Sequence, residues 1–434
     1  MNGVAILGSG MAACGASHRL LAEGVASTMY DQGSMAGGHT KTFEFPGGWV
    51  FDDGPHVSFT EDPRIQDLFA ENIGGKFQKV SNYVNNFWQG YWIKHPAQCN
   101  LYGLPTQVVV DCIKDFVDTQ SRPAEPVANY AEWLLTAFGR TFAERFPIEY
   151  AKKVHTTPAA NLTTEWLGPR LYRPSLDEVL AGALSAQTPN VHYIDHFRYP
   201  TEGGFISYLR PFHQRANLRL GHRVVGIDAA QKVITFESGD RAGYRHLISS
   251  IPLPDLIPMI AGAPLDVLAA ARRLAATTIV MVNVGVDRGD LTDATWSYFY
   301  DQDFIITRTS APHLMSPRLV PPGCGSIQCE IYFSEKYKPL TLAPQDLIEP
   351  AINDLRRCGL IRESDRVVHK SAHVSPYGNV IWDHDRAPAL EIVHGYLDGL
   401  GIRYCGRFGD WAYLWTDGAF KSGENAAERV LGGD

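Results

Sequence analysis

The sequence predicts an α/β fold: a doubly wound, Rossmann-like dinucleotide-binding domain with an α/β substrate domain interleaved in it. Three observations carry this. The chain opens on an apolar run, a glycine turn, a helical stretch, a second strand and an acid, all between Val4 and Asp31. Its middle changes from helical periodicity to short β-branched runs. Its tail returns to a strand, a glycine turn and a helix.

Val4-Ala-Ile-Leu7 is wholly apolar, as expected of a parallel strand covered on both faces. Gly8 permits the turn that follows, and Gly10 lets a pyrophosphate approach the backbone. Met11 and Ala12 follow the glycines as candidate cofactor-binding residues, ahead of a helix N-terminus whose free N–H groups and positive dipole end face phosphate. Ala13 occupies the place where a third glycine usually lets helix and strand pack closely, and Ala16 to Leu21 read as the start of the helix. Tyr30-Asp31-Gln32 closes the second strand. Asp31 lies about 20 residues beyond the glycines, placed to accept hydrogen bonds from a ribose.

Residues 109–184 read as largely helical. Three runs then read as strands completing the nucleotide domain: His222–Asp228, Lys232–Glu237 and His246–Pro252. Thr277–Val286 and Gly325–Phe333 read as strands of a second sheet. The tail reads as a strand at Tyr404–Arg407, a turn at Asp417–Phe420 and a helix at Ser422–Leu431. Residues 1–85, 200–260 and 370–434 are assigned to the cofactor domain, and 86–199 and 261–369 to the substrate domain. A ligand site is expected at their interface.

Composition narrows the function classes. The 434 residues are 45% hydrophobic and 20% charged, with a net charge of -8. That is ordinary for a globular protein and disfavours nucleic acid as a partner. No apolar stretch approaches the roughly 20 residues of a transmembrane segment, and no signal peptide is read, so the expected location is cytoplasmic. The seven cysteines are scattered without a Cys-x-x-Cys pair, which favours free thiols over a disulfide framework. The histidines show no metal-ligand spacing, so no metal is expected. The expected partner is a small-molecule substrate, and a homo-oligomer is allowed for.

Beyond the first helix stand Ala36-Gly37-Gly38-His39-Thr40 and Phe51-Asp-Asp-Gly54-Pro55-His56. Near the end stands Gly406-Arg407-Phe-Gly-Asp-Trp411-Ala-Tyr413-Leu-Trp-Thr-Asp417-Gly418-Ala419. The first segment resembles the second glycine pair of FAD enzymes of the amine oxidase and protoporphyrinogen oxidase superfamily. The second resembles the Gly-Pro-His segment of the UDP-galactopyranose mutase family. The third resembles the C-terminal flavin motif shared by these relatives, and its Gly-Arg opening is closer to the mutases. The resemblance implies FAD as the cofactor. Gly37, Gly38, His39 and Thr40 would meet phosphate or ribitol, where glycines allow close backbone approach. Gly54, Pro55 and His56 would lie beside the isoalloxazine, and Val224 and Val225 at the adenine. Gly406 and Arg407 would stand near the pyrophosphate. Asp417, Gly418 and Ala419 would precede a helix whose amides face the flavin.

The same resemblance supplies catalytic and substrate-binding candidates. His56 is the first, able to tune the flavin or relay a proton near neutral pH. Phe304-Ile-Ile-Thr-Arg308 resembles the stretch carrying one of the arginines with which the mutases hold a diphosphate. Trp166-Leu-Gly-Pro-Arg170-Leu-Tyr-Arg173 resembles the stretch carrying another, Arg173 being the closer match. Tyr377 and Tyr413 match pocket tyrosines. Four positions depart from the mutase pattern. Phe59 stands where a second histidine is usual, and His155 where Lys153-Val154-His155 replaces Lys-x-Trp. Trp415 replaces an acid, and Phe197 lies near an expected tyrosine. Asp383–Arg386 reads as a solvated helix start. The aromatic run from Tyr83 to Pro105 suits core packing or stacking on a sugar.

Two chemistries follow. The preferred one is an FAD-dependent oxidoreductase acting on a sugar-like or nucleotide-sugar small molecule. The alternative is a non-redox pyranose–furanose mutase of sugar nucleotides that uses reduced FAD. A silent flavin-binding protein is the third class.

Overall fold

The computed structural model describes residues 3–121, 126–168, 171–189, 191 and 194–432. Val4–Leu7, buried at all four positions, is the centre of a five-stranded parallel sheet. The order is Ile402–Tyr404, His246–Ser249, Val4–Leu7, Ser27–Tyr30, Asn217–Arg219. The sheet therefore gathers segments from both ends and the middle of the chain.

The three β-branched runs expected to complete the nucleotide domain are all strands, and His246–Ser249 is the one of them that joins this sheet. Val224–Asp228 and Val233–Phe236 form a separate antiparallel meander with Arg241–Gly243. The burial patterns give the reason. Val233–Phe236 alternates between half-buried and buried, so it has one wet face. An interior parallel strand must be apolar on both faces.

The first helix, Met11–Ala22, packs along the last, Thr416–Leu431. Gly15 and Gly423 make this possible. A Cβ at Gly15 would run into the carbonyl of Phe420, and one at Gly423 into the carbonyl of Ala12. The close-packing role expected of Ala13 thus falls to Gly15, and its partner is a helix rather than a strand. The last helix also begins earlier than expected, so Asp417, Gly418 and Ala419 lie in its first turn instead of preceding it.

The second sheet has seven strands. Its centre is a ten-residue antiparallel pair, Thr277–Val286 with Gly325–Ser334. Val367–Ser375 forms one edge. On the other side lie Arg308–Ser310, Trp296–Phe299, Val84–Trp88 and Tyr91–Lys94. The register sets Arg308 directly opposite Glu330. Short helices, including Tyr130–Phe138 and Pro147–Val154, cover one end of this sheet through Tyr130, Leu134, Phe138, Phe142 and Phe146. The Asp383–Arg386 segment does start a helix, but it is not solvated. Asp383 is buried and accepts hydrogen bonds from Lys336 (2.8 Å) and Tyr337 (2.5 Å).

All seven cysteines are free thiols. Among the described residues, no helix is long and apolar enough to cross a membrane.

Gly423→Val should destabilise the protein by at least about 1–3 kcal/mol, the usual cost of overpacking a tight contact. Chemical denaturation checks this. Gly399→Val, where a side chain would meet open space, is the control.

Candidate functional site

A cavity of about 1510 Å³ opens between the carboxyl ends of the parallel strands and the seven-stranded sheet. Such crevices are the usual ligand sites of open α/β sheets. One half is built from backbone. Gly8 adopts φ +113° and directs its N–H to Tyr30, and Gly10 starts the first helix. Gly37 and Gly38, also at positive φ, bring a second loop against the first, where a Cβ at Gly38 would stand 3.2 Å from Gly10 Cα. Met11, Ala12, Gln32, His39 and Thr40 complete this wall, with Thr40 Oγ1 closing its turn on the Gly37 carbonyl (2.7 Å).

Ser9 locks the two loops together. Its hydroxyl donates to Asp31 Oδ2 (2.6 Å) and accepts from Gly37 N–H (3.1 Å). Gly33 N–H binds the other Asp31 oxygen (2.8 Å), so the carboxylate is oriented before any ribose arrives. Sequence reasoning missed Ser9, although a short hydroxyl between the two glycines was a usable signal. Further along, Val224 and Val225 both line the cavity. A register shift between Val224 and Gly226 takes Val225 out of the ladder.

The third segment enters from the C-terminus. Gly406, at φ +80°, lies against Ala12, and its N–H meets Ser422 Oγ (2.8 Å). Arg407 lines the cavity, and it also has a structural task. Its guanidinium donates to the carbonyls of Leu414 (2.6 and 3.0 Å) and Gly378 (3.1 Å), holding the tail loop in place. Ala419 and Thr416 reach the cavity, whereas Asp417 and Gly418 lie outside its lining.

Where the two sheets meet stand Asp53, Gly54, Pro55 and His56. His56 Nδ1 donates to the Gly54 carbonyl (3.0 Å), which leaves Nε2 as the acceptor. Burial pushes its pKa down to about 4. His56 is therefore a neutral hydrogen-bonding group across pH 5–8, not the near-neutral proton relay expected from its residue type. His39 donates to the Pro376 carbonyl (2.6 Å), and burial lowers its pKa as well. Asp53 is held below the usual carboxylate range. Burial would raise it, but His373, at 3.1 Å, together with His39 and Lys41, outweighs that cost. Neighbouring Asp52 behaves oppositely. Burial pushes it up to about 6, although Thr42, Tyr199 and the Phe205 N–H all donate to it.

The other half of the cavity is lined with side chains, mostly aromatic. Arg308 forms a bidentate pair with fully buried Glu330 (2.6 and 2.8 Å), and Tyr332 donates to the same carboxylate (2.6 Å). Burial opposes the charge on Arg308. The Glu330 carboxylate more than offsets this and keeps the guanidinium protonated. Nothing in the sequence pointed to Glu330, because its role depends on cross-strand register. His155 is 4% exposed and packs against Trp166, with no hydrogen-bond partner at Nδ1. Burial pushes its pKa down to about 4. Tyr377 holds a left-handed backbone (φ +59°) and donates to Asp255 (2.7 Å). Tyr413 and Trp415 pack side by side, and Trp415 meets Phe59 edge to face (5.1 Å), so two departures from the mutase pattern touch each other. Phe197, a third, is buried against Trp296.

Arg173 is not brought to this site. It is exposed, outside the lining, with its guanidinium 4.5 Å from the Trp133 ring. Stacking on a surface tryptophan offsets part of the cost of exposing that ring. Arg170 lies outside the described residues.

Residues 6–72 match the family of NAD(P)-binding Rossmann-like domains. The fold is similar to that of reduced UDP-galactopyranose mutase, with a TM-score of 0.93, 26% identity and coverage of 100% of this chain and 96% of that one. It is also similar to a protein from Exiguobacterium sp. 255-15 named for protoporphyrinogen oxidase activity (TM-score 0.77, 15% identity, 99% of each chain). A third likeness is to putrescine oxidase bound to putrescine (TM-score 0.66, 13% identity, 99% of each chain). The Rossmann-like match and the likeness at 26% identity bear out the superfamily resemblance, the Rossmann-like fold and FAD as the cofactor, and the other two likenesses show the fold. The glycine cradle and the oriented Asp31 fit that group.

Ser9→Ala should weaken FAD binding by about tenfold, because it removes two hydrogen bonds that set Asp31 and the second loop. Titration of the apoprotein with FAD checks it. Asp52 contributes stability that is full below its unfolded pKa and lost as pH rises through about 6. Between pH 4 and 6, wild type should therefore lose on the order of 2 kcal/mol relative to Asp52→Asn. Denaturation at stepped pH measures the difference.

Proposed function

We propose that this flavoenzyme rearranges the ring of a sugar nucleotide without net oxidation, in the manner of a pyranose–furanose mutase. The full-length likeness to reduced UDP-galactopyranose mutase carries the reading. It moves the balance away from the oxidoreductase preferred on sequence alone. Cavity size supports it. Ligand pockets usually measure about 300–1,000 Å³, so 1510 Å³ leaves room for a second ligand beside the dinucleotide.

The side chains have distinct roles. Glu330 takes Nε and Nη2 of Arg308, which leaves Nη1 for an oxygen of the diphosphate. Charge developing on a departing nucleotide would be stabilised there by a cation that needs no rearrangement. Tyr332 donates to the same Glu330 oxygen that accepts from Nη2 and keeps the pair rigid. His56, neutral and fixed through Nδ1, offers Nε2 to accept a hydrogen bond. The aromatic walls exclude water from the sugar. FAD, when bound, supplies the redox-active ring: in the reduced form it serves a rearrangement, in the oxidised form it takes up a hydride.

The second reading, hydride transfer from a sugar-like substrate, is favoured by one observation. The Phe59–Trp415 contact replaces polar pattern positions with an apolar pair.

Anaerobic incubation with a panel of nucleotide sugars, comparing oxidised with dithionite-reduced enzyme by mass spectrometry, separates the readings. The mutase reading expects a new peak of unchanged mass from reduced enzyme alone. A product two hydrogens lighter from oxidised enzyme would replace it with the oxidoreductase. Arg308→Ala should retain FAD and lose about 10²–10³-fold in rate.

A further inference from the structure

Lys153 is only 7% exposed, yet it lies outside the cavity lining. It sits on the helix Pro147–Val154, whose adjoining face presents Tyr150 and Val154, with His155 just beyond its end, to the substrate half of the cavity. The ammonium donates to the carbonyls of Asp301 (2.8 Å) and Ile306 (2.7 Å). These carbonyls lie at the two ends of the turn between strands Trp296–Phe299 and Arg308–Ser310. A second tie joins the same helix to this turn, from Gln302 to the Glu149 carbonyl (2.9 Å). From another side, Asp354 accepts the N–H groups of Ile305 (2.7 Å) and Ile306 (3.3 Å). The turn is thus clamped just before it delivers Arg308 into the cavity.

Lys153 is a costly way to hold a turn. Burying an ammonium is expensive, and among the described residues no carboxylate lies within ion-pair distance of it. An unbranched apolar side chain would fill similar space at lower cost. What the ammonium adds is a fixed distance from the aromatic substrate wall to both ends of the turn.

We infer that Lys153 is a positioning residue for Arg308, coupling the helix that walls the substrate chamber to the guanidinium that meets the substrate. The inference rests on the proposal that Arg308 holds an anionic substrate. Small displacements of a binding group are costly in such sites, and residues acting through one another give non-additive losses.

A double-mutant cycle tests it. FAD-loaded wild type, Lys153→Met, Arg308→Ala and the double variant are titrated with UDP, and binding is read from the flavin absorbance. FAD content and thermal midpoint report folding. Lys153→Met should weaken UDP binding by about tenfold, and Arg308→Ala by more. The double variant should bind no more weakly than Arg308→Ala alone. Lys153→Gln, which keeps a donor, should fall between wild type and Lys153→Met, and it carries the same cycle if the Met variant loses FAD. Wild-type affinity in Lys153→Met, or an undiminished further loss in the Arg308→Ala background, overturns the inference. If wild type does not bind UDP, the cycle is run with GDP and dTDP; a wild type that binds none of the three, or an Arg308→Ala variant that binds the nucleotide normally, ends the substrate reading and this inference with it.

Discussion

The architecture depends on backbone touching backbone at one place. The loop at Gly37–Gly38 and the turn at Gly406 both press on the start of the first helix: a Cβ at Gly38 would stand 3.2 Å from Gly10 Cα, and one at Gly406 2.9 Å from Ala12 Cβ. The last helix reinforces the arrangement from behind through Gly15 and Gly423. A dinucleotide needs bare N–H groups within hydrogen-bond reach, and only closely approaching glycines expose them. The cradle therefore dictates where the chain must return. It also explains why the parallel sheet is gathered from segments near residues 4, 27, 217, 246 and 402.

The cofactor half was largely legible in the sequence. Its signals are local: glycine spacing, an apolar run and an acid one strand later. Gly8, Gly10 and Asp31, which those signals single out, line the cavity together with Gly37, Gly38, Gly54 and Gly406, which the resemblance singled out. The three β-branched runs were legible as strands, but which of them joins the parallel sheet was not, because Val224–Asp228 and His246–Ser249 share β-branched composition and only the number of buried faces separates them. The substrate half was less legible, since its chemistry is set by long-range register. Glu330 meets Arg308 only because two strands align, and Asp53 meets His373 only because an edge strand passes the Gly-Pro-His turn. His56 shows a further limit: the residue type suggests titration near neutrality, and burial removes it.

Charge in the substrate half is economical. Arg308 is the one guanidinium among the described lining residues there, and its balancing carboxylate is buried with it. A bare buried cation would be costly, and a paired one retains directional donors at a smaller cost. The pair thus keeps a charged recognition group inside an otherwise aromatic chamber. The same reasoning separates Asp52 from Asp53. One is buried among neutral donors and rises, while the other is met by two histidines and a lysine and falls.

The packing of the first helix on the last has a consequence for biosynthesis. The first strand, its turn and its helix are made early, but their supporting surface is not complete until residues 416–431 have left the ribosome. Domains generally fold as units during synthesis, N-terminal parts first. Here the helix Met11–Ala22 must wait for the helix Thr416–Leu431. A chain cut short before Thr416 would carry an intact glycine motif with nothing behind it.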